Sequence, residues 1–190
     1  MSHIVAIDCS PRSNASTVRS EDAFLDGAMG LSTNTVSLHR LLKLKSIQDC
    51  RRCMLCKRTG KCSIDDDIGE ILDDIKKADC VVFSTPVYFK GPSALYKMVE
   101  DRMFCFLDEE GRSTLKSGKK AVLIVTGDYP DSDIEEVANV LSSNLETIGF
   151  DMLGIITYCD EQGKKPVDDN NALLQEVKSL GLQMRNTPTV

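Results

Sequence analysis

Four of the chain's eight cysteines lie within thirteen residues, in the spacing C-x2-C-x2-C-x5-C. Cysteine thiolates hold iron–sulfur clusters, and the bacterial ferredoxin run opens with the same C-x2-C-x2-C step. In that run the fourth cysteine follows after three residues and precedes proline. Here it follows after five residues and precedes Ser63, which indicates one self-contained site. The candidate ligands are Cys50, Cys53, Cys56 and Cys62.

Two other uses of these thiols stay open. A four-cysteine zinc site usually has two C-x2-C pairs separated by a long loop. Free or redox-active thiols form the other alternative. Three cysteines at i, i+3 and i+6 suit a cubane cluster, because a short loop can wrap around it. We therefore expect a [4Fe-4S] cluster in preference to zinc.

Length and composition predict a single globular domain. The 190 residues are 42% hydrophobic and 27% charged, which is ordinary for a chain that buries a core. We expect the domain to span residues 1–185, with the cysteine-rich loop at about 46–66 and a loose tail at 186–190. No apolar run approaches membrane-spanning length and no charged leader precedes the first strand, so we expect a cytoplasmic protein with no membrane partner.

The net charge of −6 is unevenly distributed. Residues 40–61 carry eight basic side chains and one aspartate, a net +7, which leaves −13 for the rest. No aromatic residue lies among these cations and the remainder would repel phosphate, so we expect no nucleic-acid partner. Cations here would stabilise an anionic cluster or steer an acidic electron carrier. The alternative is a solvated basic loop.

Apolar strand-like segments alternate with helical patterns along the chain. This order predicts a doubly wound parallel sheet of five strands, flavodoxin-like in the order 2-1-3-4-5, with the cysteine segment inserted after the second strand. The predicted strands cover residues 3–8, 33–39, 80–85, 121–126 and 152–158. A ligand would bind at the carboxyl ends of the first and third strands, where the strand order reverses.

The loop after the first strand is rich in hydroxyl side chains and precedes a helix. Loop amides, a helix N-terminus and Arg12 would together hold a phosphate. The loop lacks glycine and a Lys-Ser/Thr pair, so it is neither a Walker A loop nor a dinucleotide fingerprint. Ser16 or Thr17 could instead simply cap the helix.

Two further loops are predicted to meet at the same edge of the sheet. Residues 86–93 after the third strand contain aromatic side chains, proline and glycine, which suit a planar ring. The alternative is that Tyr88 and Phe89 cover the core. Residues 126–129 follow the fourth strand and lie alongside.

Other polar and sulfur-containing residues have structural interpretations. The run Asp65-Asp66-Asp67 precedes an amphipathic helix and is expected to cap it rather than to bind a divalent metal. Cys80, Cys105 and Cys159 lie in apolar contexts and are expected to be core residues.

Several motifs recur in one known family. They are Cys9-Ser-Pro-Arg-Ser-Asn-Ala-Ser-Thr17, the cysteine motif followed by Asp65-Asp-Asp, Thr85-Pro-Val-Tyr-Phe89, Lys97 and Asp101-Arg102. In this combination the chain resembles the iron–sulfur flavoprotein branch of the NADPH-dependent FMN reductase family. The resemblance covers about residues 4–127. Cys9 and Ala15 stand where the family pattern has small or glycine residues, and Ser16 replaces asparagine.

The resemblance implies FMN and a [4Fe-4S] cluster on the four clustered cysteines. It places the FMN phosphate on Ser10, Arg12, Ser16 and Thr17. It places the isoalloxazine against Pro86, Val87, Tyr88, Phe89, Thr126, Gly127 and Asp128. It also implies a homodimer or homotetramer in which one subunit's cluster approaches another's flavin.

Three functions follow as hypotheses. The first is an oxidoreductase that transfers electrons between a ferredoxin-like donor, the cluster and FMN, with no protein general base. The second is an NAD(P)H-dependent FMN or quinone reductase without a cluster. The third is a zinc-stabilised α/β interaction module.

Overall fold

A parallel sheet with helices on both faces forms the body of the protein. The computed structural model describes residues 1–30, 33–161, 167–168 and 172–185, and the predicted tail at 186–190 lies outside them. The sheet order is β2-β1-β3-β5-β6, with β4 paired to β3. The strands are β1 (His3–Asp8), β2 (Thr35–Arg40), β3 (Cys80–Tyr88), β4 (Gly91–Pro92), β5 (Lys120–Gly127) and β6 (Asp151–Cys159).

The predicted flavodoxin-like order is confirmed, since β5 and β6 take the fourth and fifth places of the parallel sheet. Strand β4 was not predicted. Its two residues, Gly91 and Pro92, pair antiparallel with the end of β3. A strand of two residues leaves no hydrophobic periodicity in the sequence.

The three central strands are buried because helices cover both faces of the sheet. Their runs of β-branched residues supply both cores. On one face Val5 and Val81 pack with side chains of α3, α4 and α5. On the other face Ile4 and Val82 pack against α1 and α6. The helices are α1 (Ser16–Met29), α2 (Leu55–Thr59), α3 (Asp67–Lys77), α4 (Ala94–Arg102), α5 (Asp131–Ile148) and α6 (Ala172–Leu182).

The cysteine segment lies between β2 and α3, as predicted. It contains a 3₁₀ turn at Leu41–Lys43 and the short helix α2. The predicted capping role of the aspartate run is confirmed for Asp66, whose carboxylate accepts the Gly69 N–H at the start of α3. Helix α4 ends at Arg102 and continues as a 3₁₀ turn, Met103–Phe106. Among the described residues, none of the helices has the length and apolar character needed to cross a bilayer.

Candidate functional site

The carboxyl ends of β1, β3 and β5 meet at one crevice. The Cys9 N–H donates to the Ser84 carbonyl at 2.9 Å, and the Ser93 hydroxyl donates to the Cys9 carbonyl at 2.9 Å. Pro86 stands opposite Thr126 in the β3–β5 register. These contacts bring the loop after β1 against the loop after β3.

The loop after β5 joins the same crevice. A Cβ on Gly127 would lie 3.0 Å from the Val87 Cβ, so the lack of a side chain lets the two strands approach. The Phe89 N–H donates to the Tyr129 hydroxyl at 3.0 Å. The structure therefore places all three predicted loops together. That FMN binds between them stays a prediction.

The first part of the loop after β1 is folded on itself. Ser10 is buried, and its N–H donates to the Asp8 carboxylate at 2.9 Å. The Ser10 hydroxyl contacts the Arg12 N–H at 3.1 Å and the Arg12 carbonyl at 2.9 Å. The Arg12 guanidinium is largely exposed, 3.9 Å from the Asp160 carboxylate. It is therefore free to move toward an anion in the crevice.

Among the residues that the structure describes, no side chain caps the N-terminus of α1. Its N-cap is Ala15, so the interpretation that Ser16 or Thr17 caps this helix is wrong. The Ser16 hydroxyl accepts the Val167 N–H at 3.4 Å. Within the described part of the chain the buried Thr17 hydroxyl has no hydrogen-bond partner. An uncapped helix start with an unpartnered hydroxyl fits a phosphate group.

A hairpin tip forms the outer wall of the crevice. Tyr88 is 47% and Phe89 97% exposed, so the interpretation that they cover the core is wrong. Phe89 and Lys90 have φ angles of 48° and 58°, as the two central residues of a type I′ turn require. Lys90 pairs with Asp133 at 3.2 Å, which fixes the hairpin to the start of α5. An aromatic ring held in solvent beside the crevice suits contact with a flat ligand.

Acidic groups lie beneath the crevice, and sequence reasoning missed them. Asp8, the last residue of β1, pairs with Arg40 at 3.0 Å; burial raises its pKa, while the Ser10 N–H and Arg40 lower it. Glu21 on α1 is fully buried and accepts the Ser84 hydroxyl at 2.8 Å. Burial raises the pKa of Glu21 to about 8. A glutamate within an otherwise small and apolar helix face was the available signal.

The four clustered cysteines line one small pocket, whose volume is about 10 Å³. Arg102, Phe104 and Cys105 complete its wall. Among the described residues, no three His, Cys, Asp or Glu side chains are placed to hold a single metal ion. In a cubane each thiolate binds a different iron, so the sulfurs need not converge on one point. The donor set of four thiols is the one that iron–sulfur clusters use, so the chemistry of these residues fits a cluster.

The backbone of the cysteine loop is strained where it turns around this pocket. Arg52 and Met54 have φ angles of 48° and 62° although neither is glycine. Strained residues of this kind persist where the surroundings fix them, often at functional sites.

The Cys53 sulfur lies 3.4 Å from the Ser63 hydroxyl, and this hydrogen bond is the main reason that the pKa of the Cys53 thiol is lowered.

Two basic residues fasten the loop to the body of the protein. The Lys57 ammonium donates to the carbonyls of Phe104 and Leu107 at 2.6 and 2.7 Å, and lies 3.4 Å from the Phe104 ring centroid. Arg102 is buried and donates to Asp66 and to the Cys62 sulfur. The sequence showed Lys57 among the basic residues of the motif, but not that its side chain turns inward or that Arg102, 40 residues beyond Cys62, reaches this loop.

A family model for NADPH-dependent FMN reductases matches residues 2–150. The chain belongs to this family. The family and its iron–sulfur flavoprotein branch were predicted from the motifs, and the family prediction is confirmed.

Relatives within this FMN reductase family carry the name iron–sulfur flavoprotein. One from Methanocaldococcus jannaschii is 38% identical over 101 residues, which are 52% of this chain and 50% of the relative. One from Archaeoglobus fulgidus is 27% identical over 177 residues, 93% of this chain and 76% of the relative. One from Methanosarcina thermophila is 31% identical over 101 residues, 52% of this chain and 51% of the relative. The first-named match thus spans about half the length of that relative.

Solved structures with a similar fold cover nearly the whole chain. An FMN-dependent NADH-azoreductase from Bacillus anthracis, solved in complex with FMN, superposes with a TM-score of 0.73 at 16% identity, over 98% of this chain and 100% of the other. An NAD(P)H:quinone oxidoreductase from Methanothermobacter marburgensis superposes with a TM-score of 0.65 at 15% identity, over 99% of both chains. At these identities the likeness establishes the fold alone.

Proposed function

We propose that this chain is an FMN-dependent oxidoreductase of the iron–sulfur flavoprotein type. It would hold FMN in the crevice and a [4Fe-4S] cluster at the cysteine site, and transfer electrons between a ferredoxin-like donor, the cluster and FMN. The observation that carries the proposal is the meeting of Cys50, Cys53, Cys56 and Cys62 around one pocket. FMN would exchange two electrons together or singly, and the cluster one at a time.

The uncapped start of α1 supports the place of the FMN phosphate. Free amides at a helix N-terminus attract an anion, and the Thr17 hydroxyl offers a further donor. Arg12 would add a positive charge from the loop. The ring system would lie against Val87 and the exposed hairpin tip. Thr126, Gly127 and Asp128 would supply the opposite edge.

The surroundings of the cysteine site support electron exchange with an acidic protein. Met54 and Leu55 are exposed beside an open groove that also reaches Cys53, and the neighbouring Arg51, Arg52 and Arg58 are exposed as well. Apolar side chains ringed by cations suit a transient contact with an acidic carrier. A ferredoxin-like donor is the proposed partner.

The proposed assembly is a homodimer or homotetramer, in which the cluster of one subunit serves the flavin of another. An NAD(P)H-dependent reductase without a cluster is the alternative that the same fold allows. The two functions differ in iron content and not in architecture.

The test is anaerobic purification followed by assays of iron, zinc, acid-labile sulfide and FMN per chain. We expect about four iron, about four sulfide and about one FMN. FMN without iron or sulfide would overturn the cluster proposal and leave the NAD(P)H-dependent reductase. Zinc without FMN would leave the zinc-stabilised interaction module.

A further inference from the structure

Arg102 makes an unusual set of contacts at the floor of the cysteine pocket. Its side chain is fully buried, and arginine has five N–H donors. The guanidinium donates to both Asp66 oxygens at 2.9 and 3.1 Å, and to the carbonyls of Gln48 and Ile64 at 2.9 and 3.3 Å. The remaining donor, Nε–H, points at the Cys62 sulfur at 3.1 Å. Every donor is therefore committed, and one of them to a candidate cluster ligand.

The ion pair between Arg102 and Asp66 is oriented relative to the Cys62 sulfur. The guanidinium contacts both the Cys62 sulfur and the Asp66 carboxylate at hydrogen-bond distance, through different N–H groups. The pair adds no net charge, but its positive end faces the sulfur. Both partners are excluded from solvent, so water screens this field weakly.

From these contacts we infer that Arg102 is a positioning residue that raises the reduction potential of the cluster through Cys62. This inference rests on the proposed function. A [4Fe-4S] core with four thiolates is a dianion, and reduction by one electron makes it a trianion. A hydrogen bond and a positive charge at one sulfur stabilise the more negative state. Cys62 would then be the ligand that sets the potential.

Arg102 also holds the loop in place, and a purely structural role would predict a different result. Asp66 caps α3 and accepts the Gln48 N–H at 2.8 Å, so the pair joins both ends of the cysteine segment. If Arg102 only fixes the loop, its loss would speed iron release but leave the potential of intact clusters unchanged.

The experiment compares the cluster potential and the rate of iron release in wild type, Arg102→Lys, and the double variant Arg102→Gln with Asp66→Asn. Replacing both charged partners avoids an unpaired buried carboxylate. The control is Lys120→Gln with Asp151→Asn, which removes an ion pair at the starts of β5 and β6, away from both proposed cofactor sites. Potentials are measured on reconstituted protein by EPR during titration with dithionite, and iron release with a chelator.

We expect the Arg102/Asp66 double variant to shift the cluster potential to a more negative value and to lose iron at least about tenfold faster. Arg102→Lys should restore part of the potential, since it keeps the charge. The Lys120/Asp151 control should match wild type in potential. An unchanged potential in iron-loaded double variant would overturn the inference. A wild type without iron would instead overturn the proposed function on which it rests.

Discussion

The crevice and the cysteine site are held in place by different parts of the structure. The crevice lies where β1, β3 and β5 end, and backbone hydrogen bonds such as that from Cys9 to Ser84 fix its walls. The cysteine site lies on an irregular segment outside the sheet, and charged side chains, above all Arg102 and Lys57, fasten it. One site follows from topology, the other from a few long side chains.

The two regions also differ in charge. Beneath the crevice lie the carboxyls of Asp8 and Glu21, which burial makes harder to ionise. Around the cysteine pocket lie arginine and lysine side chains. A buried neutral acid next to a phosphate site avoids repulsion, whereas cations beside thiolates stabilise an anionic group. Each region thus has the electrostatics that its proposed cofactor needs.

The largest effect on cofactor content should come from a mutation that removes the cluster and leaves FMN bound. We expect Cys53→Ala to abolish iron and sulfide binding completely while FMN stays bound at the wild-type ratio. The control, Cys80→Ala, removes a thiol buried in β3 and should keep both cofactors. Loss of iron and FMN together from a folded Cys53→Ala protein would show that the sites depend on each other.

The buried acid beneath the crevice predicts a pH effect on stability. The pKa of Glu21 rises from 4.5 to about 8 on folding, so between these values the folded state holds more protons than the unfolded state. The free energy of unfolding should therefore fall as the pH rises through this window. Because glutamine cannot ionise, Glu21→Gln should gain stability relative to wild type by up to about 1.4 kcal/mol per pH unit.

Urea unfolding of wild type and Glu21→Gln at several pH values between 5 and 8 measures this difference. Glu135→Gln, exposed on α5, controls for the loss of one carboxylate. If the free energies of unfolding of wild type and Glu21→Gln change in parallel between pH 5 and 8, Glu21 is ionised throughout this range.

A smaller effect should distinguish a phosphate donor from a packing residue on α1. Thr17→Val removes an unpartnered buried hydroxyl at almost constant shape, so the apoprotein should be as stable as wild type or more so. FMN binding should weaken by about 1.5–3 kcal/mol, the usual loss for a hydrogen bond to a charged group. Fluorescence titration of the apoprotein with FMN measures the change.

Ser20→Ala is the matched control for that titration. Ser20 is also buried with an unpartnered hydroxyl, one helical turn further from the N-terminus of α1. Its loss should leave FMN affinity unchanged. Equal effects of the two substitutions would place the phosphate elsewhere.

The smallest effect concerns the hairpin tip. Phe89→Asn should change the free energy of unfolding by no more than about 0.5 kcal/mol, because the ring is exposed and asparagine tolerates a positive φ. The FMN dissociation constant should rise a few-fold, since an aromatic contact contributes about 0.5–1.5 kcal/mol. An unchanged constant would remove Phe89 from the flavin contacts.

The same contrast between the crevice and the cysteine site explains how much of each region the sequence could predict. The crevice was predicted because strand order alone brings the ends of β1 and β3 together. The loops near Ser10 and Pro86 directly follow these two strands in the sequence. The buried acids of the crevice were missed, because the signal for Glu21 was weak: it lies on an otherwise small and apolar face of α1. At the cysteine site the motif gave the four candidate ligands. It could not show that Arg102, 40 residues beyond Cys62, turns inward, because that contact depends on how α4 packs.

The most direct test of the account is a reductive titration of anaerobically purified protein with dithionite, followed by absorbance and EPR. A chain with both cofactors should accept about three electrons, two at FMN and one at the cluster, and the EPR signal of a reduced cluster should appear. Uptake of about two electrons without a cluster signal would contradict the account and leave a flavin reductase whose cysteines serve another purpose.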